Sequence, residues 1–156
     1  MTLAALLPRP LIRAVATSFQ AVRRLLWSLW RQPTNGVHAV ALTPEGQVVL
    51  VRLTYAKGWR LPGGGRGRGE DPEAAMLREL REEIGLVAHE SVRRVDAVAG
   101  ELGELFLVKG VRYAPNRSFE IDDVGAFDPA ALPADAAPIT RANLAKAMAG
   151  GDSSAA

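Results

Sequence analysis

The chain has 156 residues, enough for one domain with a sizeable core, and its 48% apolar and 23% charged residues are ordinary for a soluble globular protein. The absence of cysteine excludes disulfides and thiolate metal sites. It also fits a reducing compartment, so we expect a cytoplasmic location. The histidines His38 and His89 lie far apart, which argues against a histidine zinc site. The net charge of +2 is small, and no DNA partner is expected.

The first 35 residues contain arginines but no acidic residue. Apolar residues recur at three- and four-residue steps over residues 11–31, which predicts a basic amphipathic helix followed by a short linker. The interspersed arginines argue against a membrane span, and Arg9 and Arg13 argue against a signal peptide. Three interpretations stay open: the helix packs on the domain or forms a homodimer contact, it lies peripherally on an anionic membrane surface, or it is a partly disordered leader.

The rest of the chain alternates between strand-like and helix-like segments. Residues 37–43 and 47–53 predict a hairpin around Pro44-Glu45-Gly46. Three further strands are predicted over residues 92–98, 105–113 and 118–127. A short helical turn is predicted over residues 128–133, followed by a last helix over residues 140–148 that Thr140 would cap. Residues 150–156 are predicted to be a disordered tail.

A glycine-rich turn over residues 62–69 leads into a well-marked helix. Its glycines permit positive φ angles and a close approach of the backbone to a ligand. Asp71 suits the N-cap, Pro72 the first helical position and Gly85 the C-terminal stop, so a helix is expected over residues 72–84. The apolar side chains of Leu77, Leu80 and Ile84 should face the core. The glutamates Glu79, Glu82 and Glu83 should lie on the opposite side of the helix.

Glutamates at this spacing repel one another, so a cation should compensate. Mg²⁺ suits a few carboxylates together with substrate phosphates, and the glycine turn could add a carbonyl oxygen. Mn²⁺ also suits oxygen ligands. The alternative is a solvated acidic face in which Arg78 and Arg81 are the partners of the glutamates.

The spacing of the whole stretch is more specific than its composition. From Gly64, five residues lead to Glu70 and seven more lead to Arg78-Glu79, followed by the run Leu80 to Leu86 with Glu82-Glu83 and Gly85. This pattern resembles the Nudix box, the signature of the Nudix hydrolase family, and every defined position is filled. A looser resemblance extends over residues 36–132.

The resemblance implies an α/β/α sandwich with a mixed β-sheet over residues 36–149. It also implies a metal-dependent pyrophosphohydrolase, in which water attacks a phosphorus of a nucleoside diphosphate linked to another group. By the same resemblance, Glu79, Glu82 and Glu83 bind metal with the Gly64 carbonyl, while Glu70 and Arg78 brace the loop against the helix. Replacing Glu83 should remove most turnover. Glu79 is the box residue expected to act as base or to bridge metals.

Family members often use another acid after the box as ligand or base. The candidates are Glu101, Glu104, Glu120 and Asp123, and we favour Glu120. Arg52 and Tyr55 lie where the family often contacts substrate. Subfamily markers for ADP-ribose and dinucleoside polyphosphates are missing, so the substrate is a nucleotide-type small molecule of unassigned class.

Two alternatives differ from this interpretation. A non-catalytic Nudix-fold sensor would bind a nucleotide without metal-dependent phosphate release, although such proteins usually lose box glutamates. An RNA 5′-end pyrophosphohydrolase would use arginines on phosphates, and its binding would weaken steeply with salt.

Overall fold

The computed structural model describes residues 36–96, 103–115 and 118–150. The predicted helix over residues 11–31 and residues 151–156 of the predicted tail lie outside the described residues. Within the described ranges, no helix is long and apolar enough to cross a membrane.

Nine strands and two helices succeed one another in the described part of the chain. The strands are β1 (Gly36–Leu42), β2 (Val48–Leu53), β3 (Trp59–Arg60), β4 (Gly63–Gly65), β5 (Leu86–Ala88), β6 (Ser91–Val95), β7 (Glu104–Lys109), β8 (Arg112–Tyr113) and β9 (Ile121–Phe127). The helices are α1 (Pro72–Glu83), between β4 and β5, and α2 (Pro138–Ala149), after β9.

Seven of these strands form one mixed sheet, with the order β3-β2-β1-β7-β6. The pair β1 and β7 is parallel, and β1 and β2 form the predicted antiparallel hairpin. Strand β4 pairs with the beginning of β1, and β9 pairs with β2. Strands β5 and β8 form a separate antiparallel pair.

Each face of the sheet is covered by one helix. Side chains that alternate along β1 and β2 pack on one side with Met76, Leu80 and Ile84 from the α1 region. The opposite set packs with Leu144 and Ala147 of α2. Because side chains alternate between the two faces of each strand, the sheet contributes to one core beneath α1 and to another beneath α2. The predicted α/β/α sandwich with a mixed sheet is confirmed.

Several predicted boundaries shift. The strand expected over residues 105–113 divides into β7 and β8 at Gly110, whose φ is +66°. The helical turn expected over residues 128–133 is a turn instead, because Asp128 accepts a backbone hydrogen bond through its side chain from Ala130. The last helix begins at Pro138, so Thr140 is not its cap and instead donates to the Trp59 carbonyl from a buried position.

Candidate active site

Helix α1 begins and ends as its sequence predicts. The Asp71 carboxylate accepts a hydrogen bond from the Ala74 amide at 2.9 Å, and Pro72 occupies the first turn. Gly85 takes a φ of +70° just beyond the end, a conformation that favours glycine. One expectation needs correcting: Leu77 is only partly buried at the edge of the core, whereas Met76 is fully buried, so the apolar face is rotated by about one position.

The glycines of β4 bring the backbone against two glutamates of α1. The Gly63 amide donates to Glu83 Oε2 at 2.8 Å. A Cβ on Gly64 would lie 2.5 Å from the carboxylate carbon of Glu79, so any larger residue there would displace that carboxylate. Both carboxylates are largely buried, Glu79 at 5% exposure and Glu83 at 9%, so they do not form a solvated acidic face.

The Glu83 carboxylate is buried among other negative charges. Burial raises its pKa to about 8, and the hydrogen bond from Gly63 opposes this rise. The charges of Glu79, Glu120 and Glu82 raise the pKa of Glu83 further, which places all four carboxylates in one neighbourhood. A cation is the partner that this cluster would favour.

Arg78 ties the glycine loop to the helix. Its Nε donates to Glu70 Oε1 at 2.9 Å, and its Nη2 donates to the Gly65 carbonyl at 3.1 Å. Glu70 in turn accepts from the Gly67 amide at 2.7 Å. These hydrogen bonds to Glu70, followed by those to Glu79, raise the pKa of Arg78, so the guanidinium stays charged. The geometry agrees with a bracing role for Glu70 and Arg78.

Arg78 also contacts the acidic cluster. Its Nη1 donates to Glu79 Oε1 at 2.8 Å and lies 3.7 Å from Glu82 Oε1. Among Glu79, Glu82 and Glu83, the most exposed is Glu82, with 38% of its side chain accessible.

Tyr55 and Glu120 meet at the rim of this cluster. The Thr54 amide donates to the Glu120 carbonyl at 3.0 Å, which joins the loop after β2 to the segment before β9. Burial at its hydroxyl raises the pKa of Tyr55, and the charges of Glu120 and Glu83 raise it further. Most of the Tyr55 residue is nevertheless exposed, at 73%.

Among the described residues, no contact joins Arg52 to Glu79, Glu82, Glu83 or Glu120. It lies opposite Trp59 in the β2–β3 pair, its guanidinium is 4.8 Å from the centre of the Trp59 ring, and its Nη2 is 2.7 Å from Asp135 Oδ2. Trp59 belongs to the core beneath α2, which is the face opposite α1. A substrate contact by Arg52 stays a prediction.

The other acidic candidates have different surroundings. Glu104 pairs with Arg66 and Arg94 at 3.3 and 3.2 Å. Asp123 accepts from its neighbouring amide, that of Val124. Glu101 lies outside the described residues. Of the three described candidates, Glu120 is the one whose charge reaches Glu83 and Tyr55.

Sequence reasoning missed two residues beside the cluster. Arg60 on β3 lowers the pKa of Tyr55 through its positive charge, so it lies near the same phenol as the glutamates. Phe119 is 78% exposed, and its carbonyl accepts from Thr54 Oγ1 at 3.1 Å. For Arg60, the sequence offered one signal, namely the apolar residues Trp59 and Leu61 on either side of it. Because these two residues pack beneath α2, strand alternation places Arg60 on the α1 face of the sheet.

The donor set of this cluster suits a hard divalent cation. Its groups are carboxylate oxygens beside a glycine backbone, the ligands that Mg²⁺ and Mn²⁺ accept. Within the described ranges, no three acidic or histidine side chains already converge as a preformed metal site. The raised pKa of Glu83 and the close approach of Gly64 to Glu79 show that these two carboxylates are desolvated beside the glycine backbone, so the donor chemistry fits a metal.

A family model described as the NUDIX domain matches residues 32–147. The chain belongs to the Nudix family. The predicted resemblance is therefore confirmed, and the glutamate cluster lies within the matched part of the chain.

Curated relatives of this Nudix chain include two RNA pyrophosphohydrolases. The protein of that name from Hahella chejuensis is 35% identical over 82 residues, which are 53% of this chain and 49% of the relative. One from Xanthomonas campestris pv. campestris is 41% identical over 71 residues, which are 46% of this chain and 33% of the relative. The matched segment thus spans half or less of these relatives' length.

Solved structures agree on the fold. The crystal structure of a MutT NUDIX hydrolase from Burkholderia pseudomallei is 26% identical, with a TM-score of 0.63, and the match covers 74% of this chain and 98% of that one. A UDP-X diphosphatase structure has a TM-score of 0.60 at 23% identity, covering 84% of this chain and 71% of that one. The second likeness shows the fold alone.

Proposed function

We propose that this Nudix chain is a metal-dependent pyrophosphohydrolase that cleaves a nucleoside diphosphate linked to another group. The observation that carries the proposal is the burial of Glu79 and Glu83 against the glycine strand β4. Burial raises the pKa of Glu83 to about 8, and the charges of Glu79, Glu120 and Glu82 raise it further. A non-catalytic sensor would have less use for buried carboxylates that repel one another, because such a site costs stability.

The chain's own groups have distinct roles in this proposal. Glu79, Glu82 and Glu83 would hold Mg²⁺, or Mn²⁺, with the Gly64 carbonyl, and the ion would neutralise phosphate oxygens and lower the pKa of water. Glu79 or Glu120 would accept the proton of the attacking water. Arg78 and Glu70 would keep the glycine strand at its present distance from α1, so that the carboxylates stay aligned.

A second candidate is hydrolysis at the 5′ end of RNA. It is favoured by the two curated relatives, both named RNA pyrophosphohydrolase, and by the arginines of residues 1–35. Since the matched segment is at most half of those proteins, their activity does not transfer directly. Binding through phosphates would fall steeply between low and moderate salt, whereas a small nucleotide would respond less.

The test is a substrate panel with Mg²⁺ or Mn²⁺. Nucleoside triphosphates, oxidised nucleotides, ADP-ribose, dinucleoside polyphosphates and capped or triphosphorylated RNA would each be offered to the protein and to Glu83→Gln. Turnover of one class that disappears in the variant supports the proposal and names the class. Tight nucleotide binding without turnover of any member, with or without metal, would contradict it and favour a sensor.

The remaining expectations accompany this proposal as predictions. They are the domain limits of 36–149, a cytoplasmic location, a homodimer contact, and peripheral membrane contact through residues 11–31. Sedimentation analysis of the full chain, and flotation with vesicles containing anionic lipid, would test the dimer and the membrane contact separately.

A further inference from the structure

Arg60, near the acidic cluster, combines a buried guanidinium nitrogen with the lack of an ion pair among the described residues. Arg78 is bonded to Glu70 and Glu79, Arg66 to Glu104, and Arg52 to Asp135. In the described part of the chain, Arg60 has no ion pair, and its buried Nε has no hydrogen-bond partner. A buried donor without a partner is unfavourable and calls for an explanation, such as a ligand or an ordered water. The Arg52 Nε is also buried without a partner, but the Arg52 guanidinium is already paired with Asp135.

The register of the sheet fixes the face on which Arg60 lies. Its neighbours Trp59 and Leu61 both pack in the core beneath α2. Strand alternation therefore puts Arg60 on the α1 face. The pairing agrees, because Arg60 lies opposite Val51, and Val51 packs in the core beneath α1.

Two residues separate Arg60 from β4, whose glycines contact the carboxylates. Arg60 precedes Gly63, the donor to Glu83, by three residues, so their Cα atoms are at most about 11 Å apart. Tyr55 lies near both Arg60 and the glutamates. The positive charge of Arg60 lowers the pKa of the Tyr55 phenol, and the negative charges of Glu120 and Glu83 raise it. The partly buried guanidinium of Arg60 thus lies near the four glutamates, at the side of Tyr55.

This juxtaposition fits an anion that extends beyond a metal-bound diphosphate. Ions held by the carboxylates would neutralise the phosphates of the bond to be cleaved, which leaves Arg60 available for a further phosphate. Guanidinium binds phosphate through paired N–H groups with well-defined geometry. We propose that Arg60 is a specificity-determining residue that binds the phosphate next to the metal-bound pair, which selects substrates with a chain of three or more phosphates over those in which the diphosphate is joined to a neutral sugar.

This inference rests on the proposed function for its biological meaning, but it can be tested without turnover. The variants are Arg60→Gln and Arg60→Lys, with Arg112→Gln as the matched control. Arg112 is an exposed arginine near Glu45, beyond the opposite end of β1 from the glycine strand, and its replacement removes the same charge. Mn²⁺ affinity, measured by electron paramagnetic resonance, reports whether the metal site is intact in each variant.

Binding of inorganic tripolyphosphate in the presence of excess Mn²⁺ is the first readout, and kcat/KM for a nucleoside triphosphate and for ADP-ribose is the second. Arg60→Gln should weaken tripolyphosphate binding and lower triphosphate kcat/KM by about 10- to 100-fold, the range for a hydrogen bond to a charged group. ADP-ribose should change less than about threefold, and Arg60→Lys should keep part of the triphosphate preference. Mn²⁺ affinity and the control should match the wild type.

Two results would overturn the assignment. One is an equal loss on both substrates with a lowered melting temperature, which would make Arg60 a structural residue. The other is Arg60→Gln binding tripolyphosphate as tightly as Arg112→Gln does. If the wild type hydrolyses nothing, the proposed function fails, while tripolyphosphate binding still decides the role of Arg60 on its own.

Discussion

Replacing the buried carboxylate of Glu83 by an amide should stabilise the metal-free protein in a pH-dependent way. Glu83→Gln keeps the shape of the side chain and its acceptor for the Gly63 amide, while it removes the charge that Glu79, Glu120 and Glu82 repel. Since metal binding needs that charge, the same change should remove activity. Stability and function are therefore expected to move in opposite directions.

The sign follows from the raised pKa. The pKa of Glu83 rises from 4.5 to about 8 on folding, so the folded state holds its proton more tightly than the unfolded chain. The stability that this proton provides is fully present below pH 4.5 and is lost as the pH rises through 8. The loss is about 1.4 kcal/mol per pH unit, or at most about 5 kcal/mol over the whole interval. Glu83→Gln does not undergo this loss.

The assay is urea unfolding with a chelator present at pH 6 and pH 9. The advantage of Glu83→Gln over the wild type should grow by about 3 kcal/mol between the two values. Glu73→Gln, which changes an exposed glutamate in the first turn of the same helix, is the control and should shift by less than about 0.5 kcal/mol. Saturating Mg²⁺ should then favour the wild type, by about 2.7 kcal/mol at a hundred times its dissociation constant. An advantage of Glu83→Gln that is equal at pH 6 and pH 9 would refute the reasoning.

Three further changes test other parts of the site. Gly64→Ala puts a Cβ 2.5 Å from the Glu79 carboxylate carbon, so we expect at least a hundredfold loss of kcat with a folded protein by circular dichroism, and near-normal turnover would contradict this role of the glycine. Arg78→Lys cannot bridge Glu70, Glu79 and the Gly65 carbonyl at once; it should lower the free energy of unfolding by about 2 kcal/mol and weaken Mn²⁺ binding, and unchanged values for both would show that the bracing is dispensable. Phe119→Ala should raise KM for a nucleotide by about tenfold while leaving tripolyphosphate binding unchanged, if the exposed ring stacks on a base; equal effects on both ligands would rule out stacking.

Local signals explain why the box helix was predictable. The Asp71 cap, Pro72 in the first turn and Gly85 at the end act within a few residues of themselves, and the structure has each of them in the expected place. The glycines of β4 are equally local, because a close backbone approach needs glycine whatever lies opposite. What the sequence did not indicate was the partner: the Gly63 amide binds Glu83 from 20 residues away.

Long-range packing explains the misses. Thr140 looks like a cap, but Pro138 already starts the helix, and the hydroxyl turns inward to the Trp59 carbonyl. Arg52 and Arg60 are both arginines on strands beside the site, and nothing in their own segments says which one faces the carboxylates. The register of β2 with β3, together with the burial of Trp59 beneath α2, decides in favour of Arg60.

The burial of the glutamates connects the fold to the chemistry. A solvated acidic face would cost little to keep and would hold a metal loosely, because water screens its charges. Here the sheet and the glycine strand exclude that water from Glu79 and Glu83, and Arg78 offsets part of the charge on Glu79, while Glu83 receives a backbone amide. The repulsion left over destabilises the metal-free chain and becomes binding free energy when a cation neutralises it. A site built in this way favours a divalent ion and its phosphate ligands over water. The burial of the carboxylates therefore supports the functional proposal more strongly than their spacing in the sequence does.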